Sequence, residues 1–349
     1  MTTQADQVEQ LARDIVGDRY GKHLAVDVVD SSLAEGMDRT LWASLADSGL
    51  ALLSVPEELG GSGGTLADAA AVLTVASEYA AAVPLAETDI IAGWLAERAV
   101  LPLPAGPVTV AIADETSEGD SGRLVRVPWA RVAQAAVVAF RTPGGERVAV
   151  VDDFRVEARG ANLAEEPRDD IVVDWEVIRS EGTAVPEGTL ALLPYRAALA
   201  RSVALAGAAR SALSQTVAHV STREQFGRPL SRLQAVQHLL AEMAAETALM
   251  GAAASAAVAT VQREGMESAE SRLAVAAAKG ECSRSATVVA RIAHQLHGAI
   301  GATRESGLRL STTRLWAWRE EWGNERAWAA ELGATALSSS SDAWELVTG

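Results

Sequence analysis

The sequence predicts an α+β fold in which an N-terminal helical domain, a small central antiparallel β domain and a C-terminal four-helix bundle follow one another. Two observations support this prediction. Apolar residues recur at helical spacing towards both ends of the chain, and short runs rich in β-branched residues replace that pattern in the middle. The predicted domains are residues 1–101, 102–188 and 189–349.

The composition is typical of a folded, soluble protein. Of 349 residues, 49% are hydrophobic and 22% are charged, which is enough apolar material for two or three domains with cores. The net charge of −16 argues against nucleic-acid binding, because phosphate contacts need clustered basic residues. The N-terminus lacks the pattern of a signal peptide, and no run reaches the roughly 20 apolar residues of a spanning helix. We therefore expect a cytoplasmic protein that binds neither nucleic acid nor membrane.

The first domain is predicted to be helical. Leu41, Leu45 and Leu50 have the spacing of an apolar helix face. One long break interrupts the pattern at residues 54–64, which read Ser-Val-Pro-Glu-Glu-Leu-Gly-Gly-Ser-Gly-Gly. Proline lacks a backbone donor and glycine tolerates positive φ, so a helix must stop there.

The central domain is predicted from short runs that alternate or are continuously apolar, as strands of a half-buried sheet are. The runs are residues 108–112, 124–127, 135–140, 148–151 and 171–175. The sequence Thr142-Pro-Gly-Gly145 lies between two of them and predicts a hairpin turn.

Alanine dominates the last domain, and its apolar stripes predict four or five long helices in a bundle. The stripes are Leu199, Val203, Ala206, Leu213, Val217 and Val220 in one helix, Leu233, Val236, Leu240 and Met243 in a second, and Val288, Ile292 and Leu296 in a third. Cys282 is the only cysteine and lies in a helical run, so we interpret it as a packing residue.

Three short segments carry more specific information than the periodicity does. Residues 50–64 contain the core Pro-Glu-Glu-Leu-Gly-Gly. Residues 223–230 read Arg-Glu-Gln-Phe-Gly-Arg-Pro-Leu and are followed by Gln234, and residues 295–301 read Gln-Leu-His-Gly-Ala-Ile-Gly. Together these segments resemble the signatures of the acyl-CoA dehydrogenase family. The helix, sheet, helix order is also that family's architecture, so the resemblance covers nearly the whole chain.

The resemblance implies that the chain contacts FAD, and that it does so at a subunit interface. In the family, the arginine segment reaches across to a neighbour's FAD, and the glycine segment packs against the same cofactor. In the family, the positions that match Asn324, Glu325 and Arg326 touch the adenosine end of FAD. The residues implied to bind FAD are Arg223, Gln225, Phe226, Gln234, Gln295, Leu296, His297, Gly298, Gly301, Asn324 and Glu325.

These residue types suit a dinucleotide. Arg223 offers a planar fork of donors to a pyrophosphate, Phe226 offers a flat face to adenine, and Gln234 offers an amide that donates and accepts. Each residue alone has a simpler interpretation. Arg223 would place a favourable charge at a helix C-terminus, and Gly298 and Gly301 would be ordinary helix caps. The combination of the segments favours the cofactor.

The catalytic acid of the family is missing from its usual position. The family removes an α-proton of an acyl-CoA with a carboxylate while a hydride leaves to the flavin, so the base needs a raised pKa. Counting from Gly301 without a gap places Trp322 on the glutamate position. A one-residue slip would make Glu321 the base, although adjacent glutamates on a helix are usually a solvated face. Residues 195–200, where other members place the base, also lack a carboxylate.

A second loss concerns the central domain, which lacks the Thr-Glu-Pro-x-x-Gly-Ser-Asp type of segment that cradles the flavin ring in the family. Because both the catalytic glutamate and this segment are missing, the chain resembles the shorter subunit of heteromeric acyl-CoA dehydrogenases of actinobacterial sterol catabolism. There, two unlike chains form an α2β2 tetramer and share each FAD. The resemblance implies that a homologous catalytic subunit supplies the flavin pocket, the base and most acyl-CoA contacts, with an electron-transfer flavoprotein as acceptor.

Three functions remain open. The favoured one is a FAD-sharing subunit of an enzyme that desaturates an acyl-CoA, with a steroid-derived thioester as the substrate that fits the subunit type. The second is a self-sufficient homotetrameric dehydrogenase that uses Glu321. The third is a flavin-free assembly or binding subunit, which the intact arginine segment disfavours.

Two aromatic clusters allow further interpretations. His294 and His297 are three residues apart and could chelate an ion, but the glycine segment explains them better, so we expect no metal site. Four tryptophans could form a stacking platform, whereas burial in a core or interface is the more usual role. They are Trp316, Trp318, Trp322 and Trp328.

Overall fold

The computed structural model describes residues 4–21, 26–113 and 122–338. Helices come first, two small sheets follow, and long helices complete the chain. This order confirms the predicted fold class.

Helices α1 to α5 and a π-helix precede the sheets. They share a core that includes Leu41, Leu45 and Leu50, the stripe predicted from the sequence. The elements are α1 Gln4–Tyr20, α2 Val26–Glu35, α3 Arg39–Asp47, α4 Leu66–Glu78, the π-helix Ala86–Gly93 and α5 Trp94–Ala99.

The predicted break separates α3 from α4. Pro56 precedes a short 3₁₀ turn, Glu57–Leu59, and Gly60 follows it with a φ of 96°. Packing requires glycine at the next position, because a Cβ atom on Gly61 would lie 2.1 Å from the carbonyl oxygen of Val55.

The π-helix brings two acidic side chains, Glu87 and Asp89, into the interior. Asp89 accepts hydrogen bonds from the backbone N–H (2.9 Å) and the hydroxyl (2.8 Å) of Ser54, which ties the break to this helix. Burial raises the pKa of Asp89 to about 6. π-Helical turns are frequent at functional sites, and Glu87 belongs to an ion network of the candidate site.

The described strands of the central domain form two small sheets, with orders β1-β3-β4-β7 and β2-β6-β5. The strands are β1 Val108–Ala113, β2 Arg123–Pro128, β3 Ala135–Thr142, β4 Gly145–Val151, β5 Phe154–Ala158, β6 Arg168–Val173 and β7 Thr183–Ala184. Their pairings are antiparallel except that of β1 with β3. Thr142 pairs with Gly145 and closes the predicted hairpin around a two-residue turn.

Two details differ from the predicted strands. The run expected over residues 171–175 ends at Val173, because Asp174 accepts hydrogen bonds from the backbone of Glu176 and Val177 and starts α6, Trp175–Glu181. Strand β5 was not expected, since its apolar residues are only half-buried and give a weak alternation.

Helices α7 to α10 form the bundle, and α11 packs against α9. The bounds are α7 Thr189–Thr222, α8 Gln234–Glu264, α9 Ala269–His297, α10 Leu308–Glu320 and α11 Glu325–Ser338. A two-stranded hairpin of β8 Glu224–Gln225 and β9 Arg228–Pro229 joins α7 to α8, and a 3₁₀ turn, Gly298–Ala302, follows α9. Cys282 is fully buried in α9, as predicted.

Helix α8 differs from the expectation that no run is long and apolar enough to span a membrane. Within the described ranges it is the one helix that meets that criterion by length and composition. Core helices of soluble proteins meet it too, and α8 packs against α7 and α9. Its buried residues follow the spacing of a bundle helix. They are Met243, Thr247, Met250, Ala254, Ala257, Val258 and Val261.

Candidate functional site

The two segments implied to bind FAD lie at the same end of the bundle. Arg223 directly follows α7, and Gly298 directly follows α9. The imidazole rings of His219 and His297 stack with centroids 4.3 Å apart and an angle of 18° between the ring planes. The last turns of the two helices are therefore in contact. We call this region the bundle corner, defined as residues 219–234 and 295–301.

A tight hairpin projects from the bundle corner. Gln225 pairs with Arg228, so Phe226 and Gly227 form a two-residue turn. Both turn residues have positive φ, 54° for Phe226 and 74° for Gly227, as a type I′ turn requires. This conformation suits glycine but costs a phenylalanine roughly 1–2 kcal/mol. The side chain of Phe226 is also 85% exposed. A residue with a strained backbone thus presents an aromatic ring to solvent, which is typical of a ligand contact.

Four of the implied cofactor residues are exposed and have no side-chain partner among the described residues. Arg223, Gln225, Gln234 and Gln295 are exposed. Within the described part of the chain, none of their side chains has a hydrogen-bond or ion-pair partner. The bundle corner thus presents three amides and one guanidinium that have no partner among the described residues.

Three other implied residues have structural roles. The side chain of Leu296 is 8% exposed and packs in the bundle core, so it is not available to a cofactor. Gly298 has a φ of 66° and its N–H donates to the carbonyl of His294, which caps α9. Gly301 is required by packing, because a Cβ atom there would lie 2.8 Å from Cβ of His297.

The stacked histidines of the bundle corner are neutral at neutral pH. Burial lowers the pKa of His219, and the charge of Arg223 lowers it further. Burial also lowers the pKa of His297. Its Nδ1 donates to the carbonyl of Ala293 at 2.9 Å, and this tautomer leaves Nε2 as an acceptor.

The histidine pair considered as a chelate is bonded within the protein. His294 Nε2 lies 2.9 Å from the hydroxyl of Thr312, and its ring stacks on Trp316. The Nδ1 atom of His297 is used by the backbone. Across residues 4–21, 26–113 and 122–338, no three histidine, cysteine or acidic side chains converge as a metal site would require.

Asn324 and Glu325 lie at the start of α11. Asn324 Oδ1 accepts hydrogen bonds from the backbone of Arg326 (3.1 Å) and Ala327 (3.3 Å), which caps the helix. Glu325 is paired with Arg319 at 2.5 Å. These contacts give both residues a local structural role, and their contact with FAD stays a prediction.

Trp322 lies in a loop that backbone hydrogen bonds hold in place. It has a φ of 59°, and its carbonyl accepts from Nε1 of Trp328 at 3.0 Å. The fully buried ammonium of Lys279 donates to the carbonyls of Arg319 (2.9 Å) and Gly323 (2.6 Å) on either side. Position 322 of this loop therefore carries no carboxylate that could act as a base.

Glu321, the alternative base, is fixed between two arginines. Its carboxylate accepts from Arg201 Nε at 2.7 Å, from Arg168 at 2.6 Å and from the Asn162 amide at 3.0 Å. Burial alone would raise its pKa, but the two guanidiniums outweigh burial and lower the pKa to about 2. A base that removes a carbon-bound proton needs a raised pKa, so this environment is the opposite of that requirement.

Glu321 is part of a larger set of paired charges, which we call the buried ion network. Arg201 also pairs with Glu87, and Glu166 pairs with Arg168 (3.3 Å) and Arg314 (3.4 Å). Side-chain exposure is 5% or less for each member except Glu321, at 19%. The members are Glu87, Glu166, Arg168, Arg201, Arg314 and Glu321. Three carboxylates and three guanidiniums give a formal charge of zero, as a buried set requires.

The buried ion network leaves little free volume. The guanidinium carbons of Arg201 and Arg314 lie 5.7 Å and 5.9 Å from the ring centre of Trp318, whose Nε1 donates to Glu166 at 2.9 Å. The remaining cavity beside Glu87, Glu166 and Arg201 has a volume of about 20 Å³. That is space for about one water molecule, so no acyl chain fits there.

The sequence did not indicate His219 as a site residue, and of the buried ion network it indicated only Glu321. The only available signal for His219 was its place one helical turn before Arg223. Apart from Glu166 and Arg168, which are close in sequence, the network gave no local signal, because Arg201 is 114 residues from Glu87 and Arg168 is 153 residues from Glu321. Only the folded chain brings these side chains together.

Two segments of the chain match domains of one known protein family. Residues 2–98 match the N-terminal domain of acyl-CoA dehydrogenases, and residues 189–320 match the C-terminal domain of the same enzymes. The chain therefore belongs to the acyl-CoA dehydrogenase family.

Individual proteins are similar over most of the length. Acyl-CoA dehydrogenase IpdE2 of Mycobacterium tuberculosis is 30% identical over 319 residues, which cover 86% of this chain and 88% of the relative. A variant of the Tcur3481-Tcur3483 steroid ACAD has a TM-score of 0.81 at 26% identity, covering 96% of this chain and 99% of that chain. The ChsE4-ChsE5 complex from Mycobacterium tuberculosis has a TM-score of 0.83 at 23% identity, with coverages of 98% and 99%, and so shows the fold.

Proposed function

We propose that this chain is one subunit of a cytoplasmic, FAD-dependent acyl-CoA dehydrogenase that introduces an α,β double bond into an acyl-CoA thioester. The chain is inactive alone in this proposal. A homologous catalytic subunit supplies the base, the flavin pocket and most acyl-CoA contacts. Two copies of each chain form an α2β2 tetramer that shares FAD between unlike subunits.

The observation that carries the proposal is the state of Glu321. It is locked between Arg201 and Arg168 with a lowered pKa, and the cavity beside the buried ion network has room for about one water. In contrast, Arg223 and Phe226 of the bundle corner are exposed and unpaired in the described chain. A chain whose candidate base is held in ion pairs and whose cofactor-contacting surface is open fits a subunit that completes another chain's site.

The residues of the bundle corner fit the ADP half of FAD. The Arg223 guanidinium can donate two parallel hydrogen bonds to a diphosphate, and Phe226 can stack on adenine. The amides of Gln225 and Gln234 can donate to phosphate oxygens, and they can donate to or accept from ribose hydroxyls. FAD, when bound, supplies the hydride acceptor of the reaction. This chain's residues bind and orient its diphosphate end, and no proton transfer falls to them.

The proposed substrate is a steroid-derived acyl-CoA. Its support is the likeness to the Tcur3481-Tcur3483 protein, a steroid ACAD at 26% identity. The ChsE4-ChsE5 structure is a complex, and its matched chain has the fold of this chain, which supports a partner subunit. An electron-transfer flavoprotein is proposed as acceptor from the family resemblance alone.

Co-expression with a catalytic acyl-CoA dehydrogenase subunit tests the proposal. We expect this chain alone to be colourless and inactive, and the two-chain complex to contain half a flavin per polypeptide. Arg223→Gln should lower the flavin content of the complex. Glu321→Gln should leave turnover per bound flavin unchanged, because Glu321 holds structure and takes no proton from substrate.

Other outcomes would favour the other two functions. A yellow, active preparation of the chain alone, or loss of turnover per bound flavin in E321Q, would support the homotetramer that uses Glu321. A chain that stays colourless with every catalytic partner would support the flavin-free subunit. Counting turnover per bound flavin separates a chemical role of Glu321 from a loss of stability in the variant.

A further inference from the structure

The hairpin of the bundle corner carries a second arginine that the proposed function does not use. Arg228 pairs directly with Gln225 across the hairpin. One step further from the turn, the N–H of Leu230 donates to the carbonyl of Arg223 at 2.9 Å, so these two residues are also opposite each other.

The register places both arginines on one face. Side chains alternate between the two faces of a hairpin, and residues directly opposite each other share a face. Arg223, Gln225 and Arg228 therefore lie on the same face. Glu224 pairs with Pro229 and lies on the other face. The only carboxylate of the hairpin is thus directed away from the two guanidiniums.

Both guanidiniums lack a partner within residues 4–21, 26–113 and 122–338. Arg223 and Arg228 are exposed, and neither side chain forms an ion pair or hydrogen bond with any residue that the structure describes. The chain has 46 acidic and 30 basic residues, and elsewhere in the bundle Arg284 pairs with both Glu246 and Glu281. Two unpaired arginines on one face of a rigid turn are suited to an anion with two charged groups.

We propose that Arg223 and Arg228 together clamp the diphosphate of the shared dinucleotide, one guanidinium to each phosphate, with the Gln225 amide between them. The inference rests on the proposed function and assigns Arg228 as a further phosphate-binding residue. Diagonal neighbours across a ladder have Cβ atoms about 7–8 Å apart or less, from which two long side chains reach adjacent phosphates. The turn at Phe226 and Gly227 keeps this spacing, because it fixes the register.

Titration of FAD into the flavin-free complex of this chain with its catalytic partner tests the clamp. We expect Arg228→Gln to weaken FAD binding about 10- to 100-fold, the loss that fits one charge-assisted contact. Arg228→Lys keeps the charge without the planar fork and should recover part of the affinity. The salt dependence of FAD affinity should become shallower in R228Q, because one phosphate contact is lost.

Arg210→Gln is the matched control, since Arg210 is an exposed arginine of α7 that lies outside the bundle corner and has no hydrogen-bond or ion-pair partner among the residues that the structure describes. We expect it to bind FAD like the wild type. A wild-type complex that holds FAD while R228Q binds it as tightly as R210Q would overturn the clamp and leave the proposed function standing. A wild-type complex that takes up no FAD with any catalytic partner would overturn both. Thermal melting establishes that each variant is folded.

Discussion

The bundle corner and the buried ion network use the same residue types in opposite ways. In the network, three arginines neutralise three glutamates in the interior, and the pKa of Glu321 falls to about 2. In the bundle corner, Arg223 and Arg228 are exposed and have no partner in the part of the chain that the structure describes, and Glu224 lies on the other face of the hairpin. Charges that are satisfied internally fix one arrangement, whereas unpaired surface charges stay available to a ligand. The carboxylate of Glu321 is thus held in ion pairs, whereas the charges of the bundle corner are presented at the surface.

The largest expected effect comes from breaking the network. Arg201→Met leaves Glu87 and Glu321 without the guanidinium that pairs both of them. Because an uncompensated buried charge is costly, we expect the free energy of unfolding to fall by about 3–5 kcal/mol. Urea denaturation measures the change.

The matched comparison is Arg291→Met. Arg291 pairs with Glu242 at the surface, where the side chains are 53% and 46% exposed. Such a pair contributes about 1 kcal/mol or less. Equal losses in the Arg201 and Arg291 variants would mean that the six charges do not act as a buried unit.

The second expected effect is a pH dependence of stability that Glu321 causes. Its folded-state pKa of about 2 lies below its ordinary value of 4.5, so its contribution is fully present above pH 4.5 and is lost as the pH falls towards 2. At about 1.36 kcal/mol per pKa unit, the difference between the two pKa values corresponds to about 3 kcal/mol in the free energy of unfolding.

Glu321→Gln should remove that part of the loss of stability at low pH. We expect the free energies of unfolding of the wild type and E321Q to differ most above pH 4.5 and to converge towards pH 2, in denaturant titrations at a series of pH values. Two parallel curves would contradict the lowered pKa and restore Glu321 as a possible base.

Most of the fold could be predicted because it depends on local periodicity. The stripe of Leu41, Leu45 and Leu50 and the turn at Thr142-Pro-Gly-Gly145 each encode an element within a few residues. The prediction was wrong at Trp175, since the cap formed by Asp174 outweighs the β propensity of the run before it. The domain limits after residues 101 and 188 stay predictions.

The candidate site could be predicted only in part. The arginine and glycine segments are short motifs, so the bundle corner was accessible from the sequence, and its contacts with FAD stay a prediction. Glu321 resembled a solvated helix face because its partner Arg201 is 120 residues away. Leu296 shows another limit, since a motif names a residue without saying whether its side chain or its backbone meets a ligand.

The smallest expected effect lies at the bundle corner and concerns the strained turn. Phe226→Asn places a residue that tolerates positive φ before Gly227, and Asn-Gly is the preferred pair for a type I′ turn. We expect the isolated chain to gain about 1 kcal/mol in free energy of unfolding. The complex with the catalytic partner should bind FAD more weakly, because the aromatic face is lost.

Phe226→Ala separates the two effects of that substitution. Alanine removes the aromatic face but keeps a Cβ atom in the left-handed region, so it should weaken FAD binding as asparagine does and give no gain in stability. If F226N bound FAD as well as the wild type, the exposed ring would serve another contact. If it gained no stability, the turn would carry no strain. F226N is thus expected to raise stability and to lower FAD affinity. These opposite effects follow from the contrast between the two regions. The buried ion network can be optimised for folding alone, whereas the hairpin of the bundle corner keeps a residue that its own backbone conformation disfavours.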